Sequence, residues 1–276
     1  MIEINTKEIV EKWQEEIKER INKLNFKPAL NIIQIGDKEE SNIYVRNKMK
    51  TGEKLGIEVN IIKHDKASQK VIECDLEMAY CPTILQLPVE GINVNKAIRY
   101  LSGLYDVDGF TIFQKGLLAD GDHRALIPAT ALGVLRILKE TAGLLSGKKV
   151  VIVNRSHLIG KPLMQLMLNE NAYVTVCHSK TPADELKREM KEADIVITGC
   201  GLRKVFDSSY FKDGQILIDC SMAKVEGIKG VGDMDKEDIL KKLNVKIASG
   251  FGHTGIATVT ALFDNVIKFY ELETEF

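Results

Sequence analysis

The chain has 276 residues, 45% of them hydrophobic and 28% charged, with a formal net charge of −1. That length suits one large core or two smaller ones, and the balance excludes disordered and fibrous classes. Lys and Arg are scattered along the chain, which leaves no electrostatic footprint for nucleic acid or an anionic membrane. No apolar run approaches the roughly 18–20 residues of a membrane-spanning helix. The first residues, Met1 to Glu8, lack the apolar stretch of a secretory signal. A cytoplasmic protein with no nucleic-acid and no membrane partner is therefore expected. The cysteines, Cys74, Cys81, Cys177, Cys200 and Cys220, form no C-x-x-C pair. Buried free thiols in a reducing compartment are expected, with neither a disulfide framework nor a metal site.

In chain order, Thr6 is placed to cap a first helix in which Ile9, Val10, Trp13, Ile17, Ile21 and Leu24 recur at helical spacing. Residues 28–35 read as a strand closed by Gly36 and Asp37. A helix follows from about Ser41 to Gly56, then a strand at 57–62, a helix at 69–79 and a short apolar strand at 82–87. A helix at 93–101 leads to the turn at 105–109. Gly116, Asp120-Gly121-Asp122 and Pro128 mark residues 115–128 as a loop. A helix at 129–142 then opens a second alternating set. That set has strands at 149–153, 173–177, 194–198, 215–220 and 245–248, with helices at 161–170 and 182–191. A last helix runs over 257–272. The alternation predicts an α/β protein of two α/β lobes with a cleft between them, the second a Rossmann-type dinucleotide-binding domain. The expected division is 1–130 plus 257–276 against 131–256.

The turn after strand 149–153 carries the first chemistry. Asn154-Arg155-Ser156-His157-Leu158-Ile159-Gly160-Lys161-Pro162 leads from an apolar strand into a helix, as the phosphate-binding turn of a dinucleotide fold does. Pro162 suits a first helical turn. Gly160 allows close packing of helix on strand, or close approach of a phosphate. Asn154 stands where the usual fingerprint has its first glycine, and Asn tolerates the left-handed conformation. With a single glycine, an ordinary ligand-free turn also stays open. The next strand ends in Cys177-His178-Ser179-Lys180-Thr181, without the acid that accepts a ribose 2′-hydroxyl in NAD-specific domains. Arg155, Ser156, His178 and Ser179 instead offer donors and a guanidinium for a 2′-phosphate. NADP is the expected cofactor, with NAD possible.

In the first lobe Tyr44 and Lys48 are four apart on one helix and share a face. Gln86 follows a buried strand, and Asp108 sits in a Val-Asp-Gly turn. A phenol, an ammonium, an amide and a carboxylate gathered at the strand ends of an open sheet can polarise a substrate and relay protons.

These residues carry a specific resemblance. Gly36-Asp37, Ser41, Tyr44-Val45 and Lys48 resemble the motif G-D-x-x-A-S-x-x-Y-V-x-x-K. Leu85-Gln86-Leu87-Pro88 resembles V-Q-L-P, and Asp106-Val107-Asp108-Gly109-Phe110 resembles D-V-D-G-F. Asn154 to Pro162 is similar to G-R-S-x-x-V-G-x-P, Thr175 to Thr181 to T-V-x-H-S-x-T, and Val231-Gly232-Asp233 to V-G-D. Together they resemble the bifunctional methylenetetrahydrofolate dehydrogenase/methenyltetrahydrofolate cyclohydrolase family. The resemblance implies oxidation of 5,10-methylenetetrahydrofolate with NADP and hydrolysis of the methenyl product to 10-formyltetrahydrofolate. It implies tetrahydrofolate derivatives as partners and a homodimer paired through the second lobe. Carried over by position, Lys48 is central to the proton transfers of hydrolysis, Gln86 holds and tunes it, Asp108 anchors the pterin, and Tyr44 packs along the folate. Departures accompany the match. The family's P-V-P-G-G-V-G-P-M-T loop, which lies by folate and nicotinamide, reads Ser249 to Thr258 here. It has lost three prolines and gained side chains at Phe251 and His253, so a less fixed loop is expected. P-C-T-P has become Pro128-Ala129-Thr130-Ala131, and H-P-Y-N has become Thr111-Ile112-Phe113-Gln114. An impaired or single-activity folate- and nucleotide-binding relative is the alternative reading that these departures leave.

Overall fold

The structure is a computed structural model that describes residues 2–221, 223–225, 228–249 and 251–274. The chain forms two compact units, Lys12–Ala129 with Val259–Phe276, and Met1–Glu11 with Thr130–Thr258.

In the first of these units, β2 (Ala29–Ile35) lies between β3 (Glu58–His64) and β4 (Thr83–Leu85), parallel to both. The central strand is nearly buried on both faces, as a parallel strand covered by helices must be. Helix α2 (Glu39–Leu55) returns the chain from β2 to β3 and ends at Gly56, whose φ of 85° closes the helix in the left-handed conformation. Ser41, Val45, Gly52 and Leu55 form its buried stripe. A Cβ at Gly52 would meet Val59 Cγ2 at 2.4 Å, so glycine there lets α2 lie close on β3. Helix α3 (Gln69–Glu77), capped by Ser68, precedes β4, and α4 (Val94–Ala97) with a 3₁₀ turn (Ile98–Tyr100) follows it. Ile33, Ile72, Leu76, Leu85, Ala97, Ile98 and Leu101 pack together as one core cluster.

The expected loop at 115–128 is in its first half a helix, α5 (Ile112–Asp120). Thr111 caps it by accepting from the Gln114 amide, and Gly121, at φ 71°, ends it. Gly116 sits on its open face, where glycine costs about 1 kcal/mol against alanine without breaking the helix. Buried Gln114 anchors α5 from within, donating to Gly103 O at 2.7 Å and accepting from Leu126 N at 2.7 Å.

The other unit is a six-stranded parallel sheet in the order β1-β11-β8-β7-β5-β6. Its strands are β1 (Ile2–Glu3), β5 (Lys149–Val153), β6 (Tyr173–Cys177), β7 (Ile195–Thr198), β8 (Ile216–Asp219) and β11 (Lys246–Ser249). Strand β5 is flanked by β6 on one side and β7 on the other, so the strand order reverses at β5. The crossover helices are α7 (Gly160–Asn169) and α8 (Ala183–Glu192), with α9 (Lys236–Lys242) before β11. A hairpin of β9 (Ala223–Val225) and β10 (Ile228–Val231) leaves the sheet after β8. Val151, Val196, Leu217 and Ile247 from four strands form the middle of its core.

The division differs from the expected one at the amino terminus, because Ile2 and Glu3 pair with Lys246 and Ile247 and draw residues 1–11 to the six-stranded sheet. The chain passes between the units within α1 (Thr6–Ile21), α6 (Ala129–Ala142) and α10 (Ile256–Thr274). All five cysteines are free, but only Cys177 is buried and Cys200 is exposed, so the expectation of buried thiols holds for one of them. Among the described residues no helix is long and apolar enough to cross a membrane.

Candidate active site

Lys48 lies on the buried stripe of α2, between Val45 and Gly52, so its stem is drawn inward. Its ammonium donates to Gln86 Oε1 at 2.9 Å. Gln86, 5% exposed, stands directly after β4 with its backbone N–H on Ile33 O at 2.9 Å and its side-chain N–H₂ on Leu87 O. The amide is thereby oriented with its oxygen toward Lys48. Burial lowers the Lys48 pKa from the ordinary lysine value, and the charge of Asp108 opposes that shift. Burial raises the Asp108 carboxyl in turn, with Lys48 pulling it back. An ammonium and a carboxylate that sense each other in a desolvated place are primed to exchange protons with a ligand. Tyr44 is half-buried one turn before Lys48 on the same face of α2. The structure thus brings Lys48, Gln86 and Asp108 together, with Tyr44 beside Lys48.

The turn that presents Asp108 is fixed by Asp106. Its backbone oxygen accepts from Gly109 N at 3.3 Å, and its Oδ2 accepts from Thr111 N at 2.5 Å. Gly109 has φ 70°, and a Cβ there would meet Leu126 O at 2.4 Å, so the turn requires glycine. Asp106 is fully buried, and its Oδ1 has no hydrogen-bond partner. Burial pushes its pKa up to about 6. The first Asp of the D-V-D-G sequence is thus a structural determinant, although sequence reasoning singled out only the second.

In the six-stranded sheet, Cys177, Val153, Thr198, Asp219 and Ser249 lie in register across one edge. The loops that follow them leave on the side where parallel α/β sheets receive ligands, and the reversal at β5 marks the crevice. Asn154 does not adopt the left-handed conformation, since Asn171 and Lys204 are the non-glycine residues with positive φ among those described. Its side chain closes the turn instead. Oδ1 accepts from Ser156 N at 2.6 Å and Gly160 N at 3.0 Å, while Nδ2 donates to Gly199 O beyond β7. Ser156 Oγ accepts from Ile159 N at 3.1 Å. Gly160 serves close packing, because a Cβ would stand 2.1 Å from Asn154 O. Pro162 is buried in the first turn of α7.

Arg155 is exposed and reaches Ser179, Nη2 to Oγ 3.4 Å. His178 Nδ1 accepts from Lys180 N at 3.1 Å, which leaves Nε2 as the protonated nitrogen of the neutral ring. At the end of β6 there are therefore a guanidinium, a hydroxyl and an imidazole donor, with no acid in the segment from Cys177 to Thr181.

Two buried carboxylates organise the neighbouring loops, and sequence reasoning passed over the first of them entirely. Asp219 accepts from Thr198 Oγ1, Ser221 N, Met234 N and Ser249 Oγ at 2.9–3.2 Å. Asp233 accepts from Cys200 N at 2.6 Å and Leu202 N at 2.7 Å. A Cβ at Gly232 would lie 2.0 Å from Asp219 Oδ2, which accounts for the glycine between them. The described residues of the proline-poor segment after β11 are tied to their own unit by side-chain bonds. Ser249 bonds Asp219, and His253 holds Thr6 Oγ1 at 3.0 Å and Glu3 Oε1 at 2.8 Å. Thr258 Oγ1 donates to Thr254 O at 2.8 Å. Gly250 and the side chain of Phe251 lie outside the described residues.

Comparisons with known proteins bear on both halves of the chain. Residues 4–108 match the model of the tetrahydrofolate dehydrogenase/cyclohydrolase catalytic domain, and residues 128–274 match that of its NAD(P)-binding domain. The chain is 35% identical over 272 residues to the bifunctional protein FolD of Rickettsia bellii, covering 96% of this chain and 95% of that one. It is 36% identical over 274 residues to the bifunctional protein FolD of Listeria innocua, covering 95% and 93%. Among solved structures, the bifunctional 5,10-methylenetetrahydrofolate dehydrogenase/cyclohydrolase of Thermoplasma acidophilum superposes with a TM-score of 0.91 at 29% identity, over 99% of both chains.

Proposed function

The chain belongs to the tetrahydrofolate dehydrogenase/cyclohydrolase family, and on that premise we propose the roles of its residues in a two-step conversion of one-carbon folates. It oxidises 5,10-methylenetetrahydrofolate to 5,10-methenyltetrahydrofolate with NADP, then hydrolyses that cation to 10-formyltetrahydrofolate. NADP supplies the hydride acceptor when bound. The observation that carries the reading is the buried Lys48–Gln86 pair within the field of Asp108.

Lys48 handles protons in the hydrolytic step. Water adds to the methenyl carbon, a proton leaves the adduct, and the carbon–nitrogen bond to N5 breaks as that nitrogen gains a proton. A lysine whose pKa is lowered by burial can accept and return such a proton more readily than a solvated lysine. Gln86 Oε1 fixes the direction of Nζ and leaves its remaining donors for substrate. Asp108 accepts from the amino edge of the pterin, and Tyr44 packs along the folate. In the other unit, Arg155, His178 and Ser179 take the 2′-phosphate, a fit supported by the donors gathered at the end of β6. Ser156, Gly160 and Pro162 shape the turn that receives the diphosphate, with Asn154 over it. Folate chemistry accordingly belongs to Lys12–Ala129 with Val259–Phe276, and dinucleotide binding to the other unit. The protein works as a cytoplasmic homodimer.

Lys48→Met tests the central role. It is expected to abolish hydrolysis of 5,10-methenyltetrahydrofolate while the protein keeps its melting temperature, and hydrolysis at the wild-type rate would overturn the assignment.

A further inference from the structure

Asn154 stands where the strand order of the six-stranded sheet reverses, on the first loop after β5, and its amide spans to Gly199 on the loop after β7. Both backbone donors that its Oδ1 occupies, Ser156 N and Gly160 N, belong to the strand-to-helix turn that opens the ten-residue helix α7. In a dinucleotide fold such amides, at a helix amino terminus beside the reversal point, are the ones that face the diphosphate. Two further amides of the turn are also engaged within it. Ile159 N bonds Ser156 Oγ, and Lys161 N bonds Ser156 O at 3.0 Å. A neutral amide oxygen therefore sits on donors that suit an anion better.

We propose that the Asn154 side chain is an internal cap on the phosphate-binding turn, which the diphosphate of the dinucleotide displaces on binding, so that Asn154 sets cofactor affinity. The inference rests on the reading of this turn as the diphosphate site. The energetic logic is an exchange. A phosphate oxygen makes stronger, charge-assisted bonds to the two N–H groups than the amide does, but the capped turn must first open. Apparent affinity is then reduced by the fraction of protein in which the amide has swung away. The same cap stabilises the ligand-free turn, as Asn side chains do at helix starts. Affinity and stability consequently move in opposite directions when the amide is removed. A side chain that merely supported the turn would move them together.

The test compares wild type with Asn154→Gly and Asn154→Ala by calorimetric titration with NADP and with adenosine 2′-monophosphate, alongside thermal melting without ligand. Both variants should melt at lower temperature yet bind NADP about five- to tenfold more tightly, the scale of a regained charge-assisted hydrogen bond. Adenosine 2′-monophosphate, which lacks the diphosphate, should bind all three alike. Asn154→Ser, whose hydroxyl is too short to hold both amides, provides the same comparison if glycine or alanine prevents folding. Unchanged or weaker NADP binding by a folded variant would overturn the proposal. Tightening that extended equally to adenosine 2′-monophosphate would overturn it too. If the wild type bound adenosine 2′-monophosphate but not NADP, the reading of the turn as the diphosphate site would fall first, and the cap with it.

Discussion

Replacing Asp106 with asparagine should remove a pH-dependent burden on stability. Asp106 is fully buried, and its carboxyl rises from the usual 3.8 to about 6 because burial disfavours the charge. Between those values the folded state holds a proton that the unfolded state has released. The stabilisation from that proton is complete below about pH 4 and is lost as pH climbs through 6. The full difference corresponds to about 3 kcal/mol at about 1.36 kcal/mol per pH unit. About 2 kcal/mol of it falls between pH 4.5 and pH 8 by the same linkage. Asparagine keeps an oxygen for the Thr111 amide and cannot ionise, so the turn that presents Asp108 should survive. Urea unfolding at the two pH values reads the effect directly. The stability of Asp106→Asn relative to wild type should improve by about 2 kcal/mol on going from pH 4.5 to pH 8. An equal difference at both pH values would refute the reasoning, because it would mean that the Asp106 carboxyl is not raised in the folded protein above its unfolded value.

Two further predictions bear on the sites. Arg155→Ala should raise KM for NADP at least tenfold while changing KM for NAD little, under the proposed role of the guanidinium beside Ser179 in holding the 2′-phosphate; equal effects on both nucleotides would remove that role. Gly160→Ala should destabilise the dinucleotide unit by about 2 kcal/mol or more, because the new methyl would stand 2.1 Å from the Asn154 carbonyl. A melting temperature equal to wild type would show that the turn relaxes freely.

Much of the fold is legible in the sequence where structure is dictated locally. Strands 149–153 and 173–177 are apolar runs framed by turn residues, and the structure gives β5 and β6 those bounds. Helix 129–142 likewise coincides with α6. Local patterning fails where long-range pairing decides. Ile2–Glu3 is too short to read as a strand and becomes one only by pairing with β11. Helix α5 hides behind Gly116, while its true stop lies at Gly121 and its cap at Thr111. Spacing on α2, the Leu85-Gln86-Leu87-Pro88 strand end and the D-V-D-G turn brought Lys48, Gln86 and Asp108 into view. Asp219 escaped because its importance lies in four donors drawn from two strand ends and two loop positions far apart in sequence. The bonds of His253 to Glu3 and Thr6 in the proline-poor segment after β11 were likewise out of reach, because they join positions about 250 residues apart in sequence.

The most direct measurement is turnover of 5,10-methylenetetrahydrofolate by the purified protein with NADP and with NAD in parallel, following reduced nucleotide and 10-formyltetrahydrofolate together. The account predicts that both products form, with kcat/KM for NADP exceeding that for NAD, and that Lys48→Met makes no 10-formyltetrahydrofolate. Absence of reduced nucleotide with either cofactor would contradict it.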